Sequence, residues 1–473
     1  MNILLINPPT EDSATIVREG RCQQRQEAWG TSWAPLTLAI TASILRNEGF
    51  KVAIKDCPND GISFNALKDI IRSFKPKLII ANTSTPSIDG DLKVAGIAKE
   101  IDNSVKTVFF GIHVTALPED SFQEDSNVEL IVSGEPEYTL RDLAITLREG
   151  KTLEKVKGLI RRSDGKIIHN EKRPFIENLD DLPFPAWDLI NVKSYKLPIS
   201  RKPFLLIQTG RGCPHSCKFC ASKTFYGRKP RLRSPEKVVA EFKHVREKFQ
   251  INNFLFWAEE ATINKQQMIA ICRGLEKDAP GVKWVCNSRV DSINEELLKR
   301  MKKAGCWMIG FGVEAGSQRV LDSMKKSVLI EDIGKAFALT KKAGIKTTAH
   351  VIVGHPGETR KDIALTSKLV KKLDPDYIQV YCCVPFPGSA LFEEVEAAGW
   401  LKHKNWLLYE QNHCVINTPH LNVDEVMALR KKMIRAFYLN PAKVVKTVAG
   451  LESIGELIAL PKFAKAYLKS WVK

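Results

Sequence analysis

Long apolar runs are missing from this sequence. No stretch reaches the roughly 18 to 20 consecutive apolar residues that a membrane-spanning helix needs. The first residues, MNILLINPPTEDS, also lack the basic leading segment and the small-residue cleavage site of a secretory signal peptide. We therefore expect a cytoplasmic protein, and a length of 473 residues predicts two or three domains.

Clustered cysteines are equally scarce. Most of the eleven cysteines are scattered through ordinary helix and strand patterns, where a reducing compartment would keep them as small buried residues. These are Cys22, Cys57, Cys272, Cys286, Cys306, Cys382, Cys383 and Cys414. The other three are closely spaced, but no second pair of cysteines accompanies them, so a four-cysteine structural zinc site is incomplete.

The charge balance is strongly basic, +17 at neutral pH, which is compatible with nucleic-acid binding because Lys and Arg neutralise phosphates. Neither an aromatic RNA-binding motif nor an arginine-rich arm is present, and the basic residues lie largely on helical faces. A solvated surface explains them, so no nucleic-acid partner is expected.

Residues 1–150 alternate short β-type runs with segments of helical period, among them the strand candidates NILLIN, VAIKDC, KLIIANTS, TVFFGIH and ELIVSGE. Such alternation with short connections predicts right-handed crossovers and an α/β domain with a doubly wound parallel sheet, Rossmann-like in type. Ligands of these sheets bind at the carboxyl ends of the strands. The candidate residues at those ends are Asn7, Thr83, Ser84, Gly111, His113, Thr115, Gly134 and Glu135.

The rest of the chain divides into three regions. Residues 151–200 fit no such repeat and predict a linker with a hairpin that turns at Asp164-Gly165. Residues 201–390 hold six strand candidates, each followed by a helical segment, and predict a partial (β/α)6 barrel with its chemistry at the carboxyl ends of the strands. Residues 391–473 are expected to form a helical C-terminal region.

The three clustered cysteines follow the first strand of that barrel, in TGRGCPHSCKFCASK. Cys213, Cys217 and Cys220 stand in a loop broken by Gly and Pro, so their thiolates can converge on one small object. Three cysteine ligands on a cuboidal 4Fe-4S cluster leave one iron open for the amino and carboxylate groups of another ligand. A zinc site with His215 as the fourth ligand is the alternative.

The pattern Cys213-x3-Cys217-x2-Cys220, with Phe219 before the third cysteine, resembles the signature of the radical S-adenosylmethionine (SAM) superfamily. That resemblance implies a cluster that cleaves SAM to a 5'-deoxyadenosyl radical, which abstracts hydrogen from the substrate. The segments WVCNSRVD, GFGVEAGSQRVLDSMKKS and HVIVGHPGET resemble SAM-contacting strand ends of this family. The SAM-binding candidates are Phe219, Glu259, Ser288, Arg289, Gly312, Glu314 and Gly354, and no side chain is assigned as a general acid or base.

A parallel α/β domain before such a barrel resembles the cobalamin-binding domain of the cobalamin-dependent radical SAM class, a likeness carried by ILLINPP, GIHVTALPED and SGEPE. The resemblance implies cobalamin at the strand ends of residues 1–150. The Asp-x-His-x-x-Gly motif that supplies an axial histidine in many cobalamin proteins is absent, as it generally is in this class. His113 is expected to make a hydrogen bond in its loop instead of ligating a metal.

Residues 424–473 carry ten Lys and Arg against four Asp and Glu, interleaved with apolar residues. This pattern fits amphipathic helices on an anionic membrane surface, and it also fits helices that pack over the barrel with a basic solvent face. From the first alternative we expect a large apolar substrate and peripheral contact with the inner surface of the membrane.

The function expected from the resemblance is transfer of a methyl group from cobalamin to an unactivated carbon, with electrons from a donor such as flavodoxin or ferredoxin. One alternative is a radical SAM enzyme that couples or cyclises carbon skeletons and keeps residues 1–150 as a scaffold without cobalamin. A distant alternative is a zinc-stabilised RNA-binding protein, which the basic charge permits.

Overall fold

The computed structural model describes residues 1–12, 14–19, 24–25, 31–122, 127–198, 200–449 and 460. Cys22 and most of the chain after residue 449 lie outside these ranges. Within them, no helix is both long and apolar enough to cross a membrane.

The N-terminal part is built on a parallel sheet, as predicted. Its five parallel strands continue into an antiparallel hairpin, so that the sheet has seven strands. Their order across the sheet is Lys51–Asp56, Asn2–Asn7, Leu78–Asn82, Lys106–Phe110, Leu130–Val132, Leu159–Ser163 and Lys166–His169. The last two strands form the hairpin around Asp164-Gly165, which therefore extends this sheet.

Helices cover both faces of this sheet. In the strand Asn2–Asn7, second from the edge of the sheet, Ile3 and Leu5 belong to one buried core while Leu4 and Ile6 belong to another, which is the period-two alternation of a strand buried on both sides. The covering helices are Leu36–Asn47, Cys57–Asp60, Phe64–Phe74, Ile88–Ile101, Ile112–Ala116, Pro118–Ser121 and Glu137–Arg148.

The second sheet contains six parallel strands that pair in sequence order, as a partial (β/α)6 barrel requires. The strands are Phe204–Gln208, Asn253–Trp257, Lys283–Ser288, Cys306–Glu314, Lys346–Val353 and Tyr377–Cys382. The helices between them are Ser222–Tyr226, Pro235–Phe249, Lys265–Asp278, Glu295–Lys303, Gln318–Ser323, Ile330–Lys342 and Arg360–Leu373.

The C-terminal region contains the helices Ala390–Ala397, Val423–Tyr438 and Pro441–Ala449. The second of them covers the last barrel strand: Arg430 Nε donates to the carbonyl of Val380 at 2.7 Å, and the hydroxyl of Tyr438 donates to the carbonyl of Ile378 at 2.8 Å. These bonds occupy carbonyls at the edge of the sheet and fix the helix there.

Candidate functional site

A cavity of about 1020 Å³ lies between the two sheets and continues into the barrel. On the side of the first sheet it is lined by Val17, Trp33 and Ile112, and on the side of the barrel by the loop 213–223. The carboxyl ends of the barrel strands and Ile112, which follows the fourth parallel strand of the first sheet, therefore border one space, and strand ends are where such sheets bind ligands.

The loop that carries the three cysteines is fixed at several points. Gly212 has a φ of +85°, and a Cβ at this position would lie 2.4 Å from the carbonyl oxygen of Lys229, so glycine is required there. Within the loop, Cys220 N donates to the carbonyl of Cys217 at 3.2 Å, and Lys218 N donates to the carbonyl of Met324 at 3.0 Å. The loop is thus attached to the segment that follows the fourth barrel strand.

Cys213, Cys217 and Cys220 are half-buried and line the cavity, whereas the other cysteines of the described ranges are buried. The three thiols therefore share one space that is open to a metal cluster and its ligand.

His215 lies in the same loop, with Nε2 3.3 Å from Oε2 of the buried Glu260. Ligand atoms of Cys213, His215 and Glu260 come within 4.8 Å of one another, the one set of this kind in the described part of the chain. Burial and the positive charge of Arg289 lower the pKa of His215, which favours the neutral imidazole. This set contains one cysteine only, so it does not account for the other two.

Glu314, a predicted SAM contact, ends the fourth barrel strand in a left-handed conformation with a φ of +58°. Its Oε1 accepts from Nζ of Lys326 at 2.6 Å, and each side chain is 8% exposed. A Cβ on Gly312 would lie 2.4 Å from Glu314 Oε1 and 2.6 Å from Lys326 Nζ, so this glycine makes space for the ion pair. Burial raises the pKa of the Cys217 thiol and the charge of Lys326 opposes that rise, which places Lys326 beside the cysteine loop.

Ser288 and Arg289 follow the third barrel strand and are buried. The guanidinium of Arg289 donates twice to the carboxylate of Asp291, at 2.9 and 2.7 Å, and once to the carbonyl of Lys326 at 3.0 Å. The hydroxyl of Ser288 lies 2.5 Å from that of Thr262. These contacts orient the loop after the strand toward the cavity that Ser288 and Arg289 line.

Three further candidates occupy different surroundings. Glu259 accepts from Gly212 N at 2.9 Å, at the base of the cysteine loop, and Phe219 is half-buried on the cavity wall. Gly354 faces the C-terminal helix, because a Cβ at this position would lie 2.8 Å from Cγ1 of Val426. Its N–H donates to the buried carboxyl of Glu358 at 2.6 Å.

The N-terminal candidates form a hydrogen-bonded edge at the ends of the parallel strands. Asn7 Nδ2 donates to Asp56 Oδ1 at 3.0 Å, and the hydroxyl of Tyr195 donates to Asp56 Oδ2 at 2.7 Å. Burial raises the pKa of Asp56 to about 6, although these two hydrogen bonds oppose that rise. Ser84 N donates to Asp91, whose carboxylate also binds Arg18.

Gly111 and His113 are in tight contact with protein atoms. Gly111 has a φ of +139°, and a Cβ there would lie 2.4 Å from the carbonyl oxygen of Thr83. His113 is buried, with Nδ1 3.3 Å from the hydroxyl of Thr85 and its ring against Trp406. Burial lowers the pKa of His113 to about 3, so the imidazole is neutral.

Thr115 and Gly134 lie side by side at the neighbouring strand ends. Gly134 N donates to the Thr115 hydroxyl at 3.1 Å. Among the described residues, apart from its two chain neighbours, none has an atom within 4 Å of a Cβ built on Gly134, and its φ is +80°, so the backbone is open at this point. A ligand can approach the main chain there.

Glu135 takes part in a buried ionic group between the two halves of the protein. Its carboxylate accepts from Arg211 at 3.1 Å and from Arg231 at 2.8 Å, and Arg211 also binds Glu137. The two arginines belong to a short strand pair, Gly210–Arg211 and Arg231–Leu232, next to the cysteine loop. Glu135 therefore connects the first sheet to that loop.

Sequence reasoning did not find Lys326, Arg211 or Arg231, and it included Glu137 only as part of the strand-end segment SGEPE. A signal for Lys326 existed, since a lysine in the segment GFGVEAGSQRVLDSMKKS is close in sequence to Glu314. The partners of Arg211 are 74 and 76 residues away, a distance over which sequence periodicity carries no information.

Comparisons with known proteins agree with this architecture. Residues 207–370 match the radical SAM superfamily model and residues 28–144 match the B12 binding domain model. An uncharacterised methyltransferase of Pyrococcus horikoshii is 33% identical over 448 residues, which is 95% of each chain. The anaerobic magnesium-protoporphyrin IX monomethyl ester cyclase of Rubrivivax gelatinosus is 31% identical over 77% of this chain and 66% of that protein.

The solved structures include the cobalamin-dependent SAM radical enzyme OxsB with aqua-cobalamin and SAM bound. It has a TM-score of 0.76 to this chain at 17% identity, over 99% of this chain and 71% of that one. At this identity the similarity is one of fold.

Proposed function

The chain belongs to the cobalamin-dependent radical SAM enzymes, and on that premise we propose that Cys213, Cys217 and Cys220 hold its 4Fe-4S cluster. The observation that carries the assignment is that these three thiols, on one short loop, are half-buried and all line the cavity. Three cysteine ligands leave one iron to SAM.

The cofactors of the chain are a 4Fe-4S cluster, SAM and cobalamin. When bound, they supply radical hydrogen abstraction and a transferable methyl group. The work of the protein is to orient these groups and to keep water from the reacting carbon.

For SAM we propose a binding site formed by the segments that lie next to the cysteine loop. Lys326 and Arg289 offer positive charge beside Cys217 for the carboxylate of SAM, and Glu314 offers oxygens to a ribose diol. Phe219, Glu259, Ser288 and Gly312 complete the proposed site. Gly354 is the outlying member of the proposed site: a Cβ built on it would lie 2.8 Å from Cγ1 of Val426, on the side of the C-terminal helix.

For cobalamin we propose the strand ends of the first sheet that face the barrel. Gly134 and Thr115 provide backbone and hydroxyl groups beside open space. Asn7, Thr83, Ser84, Gly111 and Glu135 shape this edge through their hydrogen bonds. His113 is neutral, buried and bonded to Thr85, which supports a structural role in place of axial ligation.

The finer proposal is methylation of an unactivated carbon in a large substrate with an apolar part, with electrons from a flavodoxin or ferredoxin. The exposed side chains Leu439, Val444, Val445 and Val448 on and before the helix Pro441–Ala449 support a peripheral membrane contact through the C-terminal region. Binding to vesicles with and without anionic lipid tests that contact, and truncation after residue 438 should abolish it.

The second candidate is carbon-skeleton cyclisation or coupling with residues 1–150 as a scaffold. The similarity of 31% to a cyclase from Rubrivivax gelatinosus favours the cyclisation part of this alternative. Corrinoid bound in stoichiometric amount after anaerobic purification supports methyl transfer, and its absence after reconstitution with cobalamin supports the scaffold.

The central experiment is anaerobic reconstitution of wild type and Cys217→Ala, followed by iron, sulfide and zinc analysis and an assay for 5'-deoxyadenosine. Cys217→Ala should lose both the cluster absorbance and the product. Cys414→Ala, which removes a buried thiol elsewhere, is the matched control and should retain both. Zinc without iron in the wild-type protein would contradict the assignment and favour a set such as Cys213, His215 and Glu260.

A further inference from the structure

The cavity continues past the cysteine loop along the axis of the barrel. Closed eight-stranded (β/α) barrels fill their interior with layers of branched apolar side chains. In this chain, however, three of the last four strands present hydrogen-bonding side chains to the cavity. The residues that carry these side chains are Asn287, Thr348, His350, Gln379 and Tyr381.

His350 lies at the centre of this polar cluster. Its Nε2 is 3.3 Å from Asn287 Oδ1, and its Nδ1 is 3.4 Å from the Tyr381 hydroxyl, which in turn donates to Gln379. A Cβ on Gly310 would lie 2.4 Å from both Asn287 Oδ1 and His350 Nε2, so the glycine is what allows polar atoms at this level of the barrel. A set of donors and acceptors on a cavity wall fixes the orientation of a polar ligand.

The end of the same cavity at which the barrel strands begin is basic. Lys283 and Lys346 are the first residues of their strands and both line the cavity. Among the described residues neither ammonium group has a side-chain partner. Asp376 lines this end too, but its carboxylate already accepts from Thr347 N at 2.8 Å. Two lysines against one carboxylate leave this concave surface with a net positive charge, which attracts an anion.

We propose that the barrel interior binds the anionic end of an amphipathic substrate, with a carboxylate or phosphate group at Lys283 and Lys346. The cluster around His350 hydrogen-bonds the adjoining polar part. Four residues of strand separate Lys346 from His350, about 13 Å, so the anion lies remote from the cysteine loop. The apolar part of the substrate then extends along the cavity toward the cysteine loop. This inference rests on the proposed function and adds the substrate class to it.

The test uses full-length enzyme reconstituted with cluster and SAM, without reductant, so that SAM occupies its own site and stays intact. The probes are octyl phosphate and octyltrimethylammonium, which share one alkyl chain, and calorimetry measures their affinities. Octyl phosphate should bind at least about tenfold more tightly, since hydrogen bonds to a charged group are the strong ones. Lys283→Gln/Lys346→Gln should lose this preference, and Lys283→Glu/Lys346→Glu should reverse it.

The matched control is Lys361→Gln/Lys368→Gln, which removes two exposed charges from the outer helix Arg360–Leu373 and should bind octyl phosphate as wild type does. His350→Leu should weaken binding of 8-hydroxyoctyl phosphate, whose terminal hydroxyl can span the distance from the lysines to His350, but leave octyl phosphate unchanged.

Equal affinity of wild type for the two probes, or an unaffected lysine double variant, would overturn the proposal. Formation of 5'-deoxyadenosine after reduction tests the cluster and SAM assignments separately. If wild type forms 5'-deoxyadenosine but does not prefer octyl phosphate to octyltrimethylammonium, the proposed substrate class alone is wrong.

Discussion

Arg211 and Glu137 form a buried ion pair that joins the two halves of the protein, with Nη2 2.5 Å from Oε1 and side chains that are 1% and 0% exposed. Arg211 immediately precedes Gly212 and Cys213, while Glu137 begins the helix that follows the fifth strand of the first sheet. Burial alone would lower the pKa of Arg211, but the carboxylates of Glu137 and Glu135 raise it well above its usual value. The position of the cysteine loop is therefore fixed partly by the N-terminal domain.

Arg211→Met should destabilise the protein by about 3 to 5 kcal/mol, because it leaves the carboxylate of Glu137 buried and unpaired. Chemical denaturation followed by fluorescence measures this, and the iron content after reconstitution should fall as well. Arg211→Met/Glu137→Leu should recover most of the stability, since an apolar pair needs no counter-charge. A single variant as stable as wild type would show that the pair contributes nothing.

The strands could be predicted from the sequence because each is a short run of apolar or alternating residues bounded by turn residues. The barrel segments FLLIQTG and NFLFWAE, for example, contain the observed strands Phe204–Gln208 and Asn253–Trp257. The ion pair of Arg211 could not be predicted, since its members meet only when the two sheets pack together. The same holds for the approach of Gly354 to Val426, which depends on where the C-terminal helix docks.

Lys326→Gln should weaken SAM binding by about tenfold or more, because it removes a positive charge beside Cys217 and leaves Glu314 without its partner. Equilibrium dialysis of SAM with the unreduced, reconstituted enzyme measures the affinity. The cluster itself should remain, since the cysteines are intact. Lys335→Gln, on the exposed face of the helix Ile330–Lys342, is the control; equal affinities for the two variants would refute the proposed role.

Gly111→Ala should destabilise the N-terminal domain by about 3 kcal/mol or more. The added Cβ would lie 2.4 Å from the carbonyl oxygen of Thr83, and the φ of +139° is one that residues with a side chain rarely adopt. Corrinoid binding should fall with it. At Gly334, within the helix Ile330–Lys342, an added Cβ would meet no atom of the other described residues within 4 Å beyond the backbone of its own helix, so Gly334→Ala should be tolerated. A Gly111→Ala protein with unchanged thermal midpoint and corrinoid content would contradict this account.

Glu358 makes the stability of the protein depend on pH. Burial raises the pKa of its carboxyl from 4.5 to about 8, although hydrogen bonds from Gly354 and His355 oppose that rise. The folded state thus binds a proton that the unfolded state releases between these two values, so this contribution to stability is complete below about pH 4.5 and is lost as the pH rises through 8. Burial also raises the pKa of Glu19, to about 7, so the contribution of Glu19 to stability is likewise lost as the pH rises.

Between about pH 5.5 and pH 8.5, the thermal midpoint of the Glu358→Gln variant should therefore fall less than the thermal midpoint of wild type. A glutamine keeps an oxygen that accepts from Gly354 N, but it cannot ionise. Comparing the variant with wild type at each pH cancels the contributions of all other groups. Glu247→Gln, which changes an exposed carboxylate on the helix Pro235–Phe249, should leave the pH dependence as it is. Parallel curves for Glu358→Gln and wild type would mean that the carboxyl of Glu358 titrates alike in the folded and unfolded states.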